Sequence, residues 1–99
     1  MPGFMYILKC SNGKYYTGST KNLGLRLIQH SEGRGSYYTK EHLPVELVYS
    51  EEYQRIDDAF AREKQIKGWG RKKKEALING RMKDLPKLSA NSKSKDTLD

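Results

Sequence analysis

Between two short aromatic-rich runs, residues 4–10 and 14–18, stands Ser11-Asn12-Gly13, and this turn signal constrains the chain more than any other feature. Apolar and aromatic runs joined by a tight glycine-containing turn pair as an antiparallel hairpin. The register matters, because side chains alternate between the faces of a sheet and a slip of one residue moves them all. With a three-residue loop and a left-handed Gly13, Cys10 pairs with Lys14, Tyr6 faces Gly18, and Tyr6 and Tyr16 share one face. A two-residue Asn-Gly turn puts the two phenols on opposite faces.

Thr20 or Asn22 can cap a helix running to about His30, since Leu23 and Leu27, and Leu25 and Ile28, recur at helical spacing. Gly33 and Gly35 end it. Residues 35–44 have no clear period and read as a loop with exposed aromatics, and residues 45–50 form a third strand. Asp57 or Asp58 opens a second helix, with acid where the helix dipole favours it, and the helix continues through Phe60 to about Lys67. Gly68-Trp69-Gly70 breaks it, and a short basic helix over 71–78 stops near Asn79-Gly80. Beyond Met82, Ser, Lys, Asn and Asp dominate, so residues 83–99 are expected to be a flexible polar tail behind a domain at 1–82. Three strands and three helices, the first two strands adjacent and antiparallel, define an α+β domain with one sheet covered by helices.

A chain of 99 residues with 35% hydrophobic content closes one small core. Its single cysteine allows no internal disulfide, which suits a reducing cytoplasm, and no segment has signal-peptide or membrane-span character. The net charge is +7. Residues 83–99 carry four lysines against three aspartates, so the excess belongs to the folded part and polyanions are the natural partners. Lys64, Lys67, Arg71, Lys72, Lys73 and Lys74 form the densest run, equally compatible with phosphate contacts and with a solvated helix face.

Glu63 falls inside an apolar stripe of Ile56, Ala59, Phe60 and Ile66. A carboxylate there needs a neighbouring Arg or Lys, a hydrogen-bond network or a metal ion. Arg26 and His30 lie four apart and share a helix side, a pairing suited to phosphate chemistry: a planar cationic fork beside a proton carrier. Tyr6 and Tyr16 are ordinary strand aromatics taken singly, yet a phenol can position or activate water when a nearby cation or metal assists. Gly18 lets a phosphate or another backbone approach, or ends the strand. Cys10, His30 and His42 do not make a structural zinc site, and no glycine-rich phosphate loop occurs.

The order Tyr6, Tyr16-Thr17-Gly18, Arg26, His30 and a helical Glu63 resembles the GIY-YIG nuclease superfamily, in particular its small single-domain bacterial branch. The match spans residues 4–78, most specifically Tyr16-Thr-Gly-Ser-Thr-Lys-Asn-Leu-(x2)-Arg26-Leu-(x2)-His30. Tyr37-Tyr38-Thr39-Lys40, Pro44 to Tyr49 and Glu63-(x2)-Ile66-Lys67 also fit. The first motif reads Phe4-Met5-Tyr6 and the second Tyr16-Thr17-Gly18, both keeping their tyrosine. The resemblance implies a three-stranded antiparallel sheet flanked by about three helices and a metal-dependent endonuclease. It places one Mg2+ or Mn2+ on Glu63, Arg26 on the scissile phosphate, and Tyr6 or Tyr16 on the attacking water with His30 assisting. The expected partner is nucleic acid, DNA ahead of RNA, with Gly18, Tyr38, Lys40, Lys67, Lys72 and Lys73 as contacts; neither a membrane nor an obligate protein partner is expected. The competing readings are a nucleic-acid-binding module without catalysis, with Tyr37, Tyr38 and Trp69 available for stacking, and a protein adaptor using the aromatic loop.

Overall fold

A computed structural model describes residues 1–80; the expected tail at 83–99 and the end of the expected 1–82 domain lie outside them. The chain divides into two units, Met1–Lys67 and the part from Gly68 onward.

In the first unit, β1 (Gly3–Lys9) is the middle of a three-stranded antiparallel sheet, between β2 (Tyr15–Thr20) and β3 (Glu46–Tyr53). Met5, Tyr6, Ile7 and Leu8 are all buried, as a continuous apolar run should be when strands flank it and helices cover both faces. The hairpin loop has three residues: the Cys10 N–H donates to the Lys14 carbonyl and the Gly13 N–H to the Cys10 carbonyl, each at 2.9 Å. Gly13 adopts φ 82°, the left-handed region that a residue without Cβ enters freely. Tyr6 therefore pairs with Gly18 and Leu8 with Tyr16, which settles the register in favour of phenols on a common face.

Asn22 caps α1 (Leu23–Ser31), its side chain accepting the Leu25 N–H at 3.0 Å. Residues 35–44 correct the sequence reading: Tyr37–Glu41 is a short helix, α2. Ser36 accepts the Thr39 N–H while the Thr39 hydroxyl accepts the Ser36 N–H, a reciprocal box in which threonine stands where Glu or Gln is the usual signal. A cis Leu43–Pro44 bond then leads towards β3.

β3 continues to Tyr53, past its expected end at 50, and the acid in this added stretch is compensated in place. The Glu51 carboxylate accepts from Tyr49 at 2.6 Å, Tyr53 at 2.5 Å and Arg62 Nε at 3.0 Å. Arg62 belongs to α3 (Ile56–Lys67), which covers the sheet face of Met5 and Ile7. At Gly3 a Cβ would fall 2.6 Å from Ile56 Cα, so the helix start needs glycine beneath it. Ala59, Glu63 and Ile66 are the buried residues of α3. Phe60 does not belong to that stripe: it is half exposed, with Lys64 Nζ 4.9 Å from its ring centre. Helices α1 and α2 lie on the other face, that of Tyr6 and Leu8.

The second unit holds α4 (Arg71–Ile78), which starts after Gly70 as expected and has Ala76 and Leu77 as its buried residues. Within it, Lys73 Nζ sits 5.0 Å from the Trp69 ring centre and Arg71 pairs with Glu75 at 3.0 Å. Among the described residues, no helix is long and apolar enough to cross a membrane.

Candidate active site

The Tyr6 hydroxyl is the hub of the site. It lies 2.8 Å from His30 Nε2 and accepts from Arg26 Nε at 3.4 Å. Both partners come from one side of α1, one turn apart, as their spacing requires. Arg26 is itself held by Gln29 at 3.1 Å and by the Gly35 carbonyl at 2.9 Å, which leaves its guanidinium fixed beside the phenol. Tyr16 packs its ring 5.4 Å from His30 and 6.5 Å from Tyr6.

Two glycines make this packing possible. A Cβ on Gly18 would fall 2.5 Å from the Tyr6 hydroxyl, and one on Gly35 would fall 2.0 Å from His30 Nδ1. Gly18 was expected as a nucleic-acid contact; it is buried, and the Tyr6 phenol fills the space its missing side chain leaves.

Burial and the Arg26 charge lower the His30 pKa to about 4, so the imidazole is neutral at pH 7. Burial raises the Tyr6 phenol above its ordinary value against the Arg26 hydrogen bond, with the fields of Tyr16 and Glu63 adding to the rise. Neutral Tyr6 beside neutral His30 is thus the resting state.

Glu63 is 8% exposed, so its carboxylate is buried as its helical position implied. Ser19 Oγ donates to Oε1 at 2.5 Å and Lys67 Nζ lies 2.7 Å from Oε2. Ser19 pairs with Met5, on the sheet face opposite the phenols, so β2, an outer strand, stands between the acid and Tyr16. The charges still couple: the Glu63 field helps raise the Tyr6 phenol, and the Tyr16 field helps raise Lys67, whose pKa is raised chiefly by its hydrogen bond to Glu63. One carboxylate beside a hydroxyl suits a hard divalent cation that keeps several waters and shares substrate phosphate oxygens. Among the described residues no cluster of three His, Cys, Asp or Glu forms an all-protein cage.

Of the other expected contacts, Tyr38 stacks on Tyr16 with centroids 6.5 Å apart, while its hydroxyl accepts from Asn12 Nδ2 at 3.0 Å. Lys40 is exposed and lines a cleft of about 240 Å³ with Arg34, Ser36 and Tyr37. Lys67 is committed to Glu63, while Lys72 and Lys73 belong to the second unit. The residues to which sequence reading gave no role in the site are Ser19, Gly35, Ser36 and Thr39. Thr39 is fully buried with Oγ1 2.8 Å from His30 Nδ1. A Ser-x-x-Thr box starting α2 was the available signal for the last two.

A protein-family model described as the GIY-YIG catalytic domain matches residues 2–76. The chain belongs to the GIY-YIG family. Among its relatives, UPF0213 proteins of Staphylococcus aureus, including that of strain Mu50, are 46% identical over 78 residues, covering 79% of this chain and 95% of theirs. The solution NMR structure of the UPF0213 protein BH0048 from Bacillus halodurans matches with a TM-score of 0.55 and 30% identity, over 95% of this chain and 100% of that one.

Proposed function

We propose that this GIY-YIG protein is a divalent-metal-dependent endonuclease that hydrolyses phosphodiester bonds, with DNA as the preferred substrate, and that it acts in the cytoplasm. The observation that carries the proposal is the Tyr6 hydroxyl held between His30 Nε2 and Arg26 Nε, with the Glu63 charge acting on it across β2. Arg26 grips the scissile phosphate through the edge of its guanidinium, whose charge meets the negative charge that grows on the phosphoryl oxygens. Tyr6 accepts a proton from the attacking water as it passes its own to His30, so no free phenolate accumulates and its raised pKa is no obstacle. Phosphate on Arg26 offsets one of the two causes that keep His30 neutral, which eases this transfer. Tyr16 lines the water's place from the side of β2. Glu63, steadied by Ser19, would hold one Mg2+ or Mn2+, which when bound neutralises phosphate charge and polarises the scissile bond. Tyr38 and Lys40 on α2 supply sequence-independent contacts to the strand, with Lys67 joining them when a metal ion takes its place on Glu63; in the second unit Lys72 and Lys73 offer contacts of the same kind. Gly18 serves by housing Tyr6.

Glu63→Ala and Arg26→Ala are expected to abolish cleavage of labelled DNA and RNA in Mg2+ or Mn2+, with circular dichroism unchanged and chelator silencing the wild type. Cleavage that survives both substitutions overturns these assignments. The Lys67 ammonium on Glu63 favours a second reading, a nucleic-acid-binding module whose own cation closes the acid. Salt-sensitive binding without cleavage in any metal decides for it.

A further inference from the structure

The proton count around His30 assigns a part to a residue on a different helix. Tyr6 is 1% exposed, and its hydroxyl has two partners among the described residues, Arg26 Nε and His30 Nε2. Arg26 can only donate. If His30 carried its proton on Nε2, the phenol would receive two donors and its own proton would have no protein acceptor among the described residues, a costly arrangement for a group this buried. The phenol therefore donates to Nε2, and the imidazole proton sits on Nδ1. Its partner there is Thr39 Oγ1 at 2.8 Å, and both groups are wholly buried.

Thr39 can accept that proton because its own has a place to go. Its hydroxyl donates to the Ser36 carbonyl at 3.2 Å, and the Ser36 hydroxyl lies 3.0 Å away. The hydrogen bonds then run in one direction, from the Tyr6 O–H to His30 Nε2, from His30 Nδ1–H to Thr39 Oγ1, and from the Thr39 O–H to the Ser36 carbonyl.

We propose that Thr39 is a positioning residue that fixes the tautomer and orientation of His30, so that Nε2 stays open to receive the Tyr6 proton. Thr39 does not touch substrate; it acts through the imidazole, as the outer partner of a working histidine commonly does. The same five-residue helix carries Tyr38 and Lys40, so strand contacts and the histidine's anchor share one short element. The catalytic consequence rests on the nuclease reading, whereas the tautomer assignment rests on the geometry alone.

The test is 15N NMR of histidine-labelled protein together with steady-state cleavage, on wild type, Thr39→Val, Thr39→Ser and Ser36→Ala. The wild type is expected to show His30 protonated on Nδ1. Thr39→Val loses that signature and Thr39→Ser keeps it. Ser36→Ala weakens the helix cap but keeps it too, which separates the hydroxyl's action from simple loosening of α2. Cleavage by Thr39→Val is expected to fall about 10–100-fold in kcat with KM little changed, the loss typical of removing the outer partner that orients a histidine. An Nδ1–H signature that persists in Thr39→Val, or is lost equally in Ser36→Ala, overturns the proposal, as does full kcat in Thr39→Val. A wild type that cleaves nothing would defeat the nuclease reading, while the NMR signatures would still decide the tautomer.

Discussion

Glycine at position 18 is, like Gly35, a residue of the site with no room for a Cβ. Its backbone is ordinary for a strand; the constraint is the phenol oxygen where a Cβ would lie, 2.5 Å away. Gly18→Ala is expected to push Tyr6 off His30 and to cost about 1–3 kcal/mol in chemical denaturation, the usual range for overfilling a packed interior. Cleavage should fall by a larger factor than stability alone explains, and Gly13→Ala, at a loop position with open space around it, gives a comparison in which cleavage by the folded fraction stays near normal. At this scale much was legible in the sequence. Arg26 and His30 sit one helical turn apart whatever else the chain does, and the choice between the two registers of Tyr6 and Tyr16 came down to the loop that Gly13 closes. The register already set Gly18 opposite Tyr6; that the phenol oxygen takes the place of a Gly18 side chain was not legible, because a missing side chain carries no sign of what fills its space. Nor was the partner of Glu63: the misplaced acid announced a need, and Ser19 meets part of it from a strand 44 positions earlier.

Strand β3 and helix α3 are fastened by a carboxylate with three donors. Glu51 is held below the usual carboxylate range by hydrogen bonds from Arg62, Tyr49 and Tyr53, against the opposing effect of burial. Removing Arg62 leaves a half-buried charge with weakened compensation. Arg62→Met should destabilise by roughly 2–3 kcal/mol, and adding Glu51→Leu should recover part of the loss, since a buried pair is costly mainly when only one member is removed. Urea melts of the two single variants and the double variant check this; equal additive losses would mean that the pair is uncoupled. The sequence concealed this fastening, and with it the end of β3, because two adjacent glutamates look like solvent-facing loop until their partner on another element is known. Helix α2 was hidden for a related reason. Its cap uses threonine in a place where glutamate is the familiar mark, and a helix of five residues is too short to display a period.

For the molecule as a whole, the buried imidazole couples stability to acidity. His30 has its ordinary pKa of 6.5 when unfolded and about 4 when folded, so between those values the unfolded chain binds more protons. Stability is therefore full above pH 6.5 and declines as the pH falls towards 4, by up to about 3 kcal/mol at 1.36 kcal/mol per unit. Glu51, held low, adds its own loss only below the ordinary carboxylate range. Urea denaturation at pH 7, 5.5 and 4.5 should show this slope, and His30→Gln should flatten it; a slope unchanged by that substitution would place the acid sensitivity elsewhere.

The Ser19 side chain that holds the acid and the Tyr16 ring leave the outer strand β2 on opposite faces. That boundary must therefore remain unclaimed. A neighbouring chain that docked there by adding a strand would complete more of the sheet's backbone hydrogen bonds, yet it would wall Glu63 off from Tyr16. In most proteins an outer strand is a hazard of aggregation; on the proposed nuclease reading, self-association along β2 would silence cleavage without unfolding the domain.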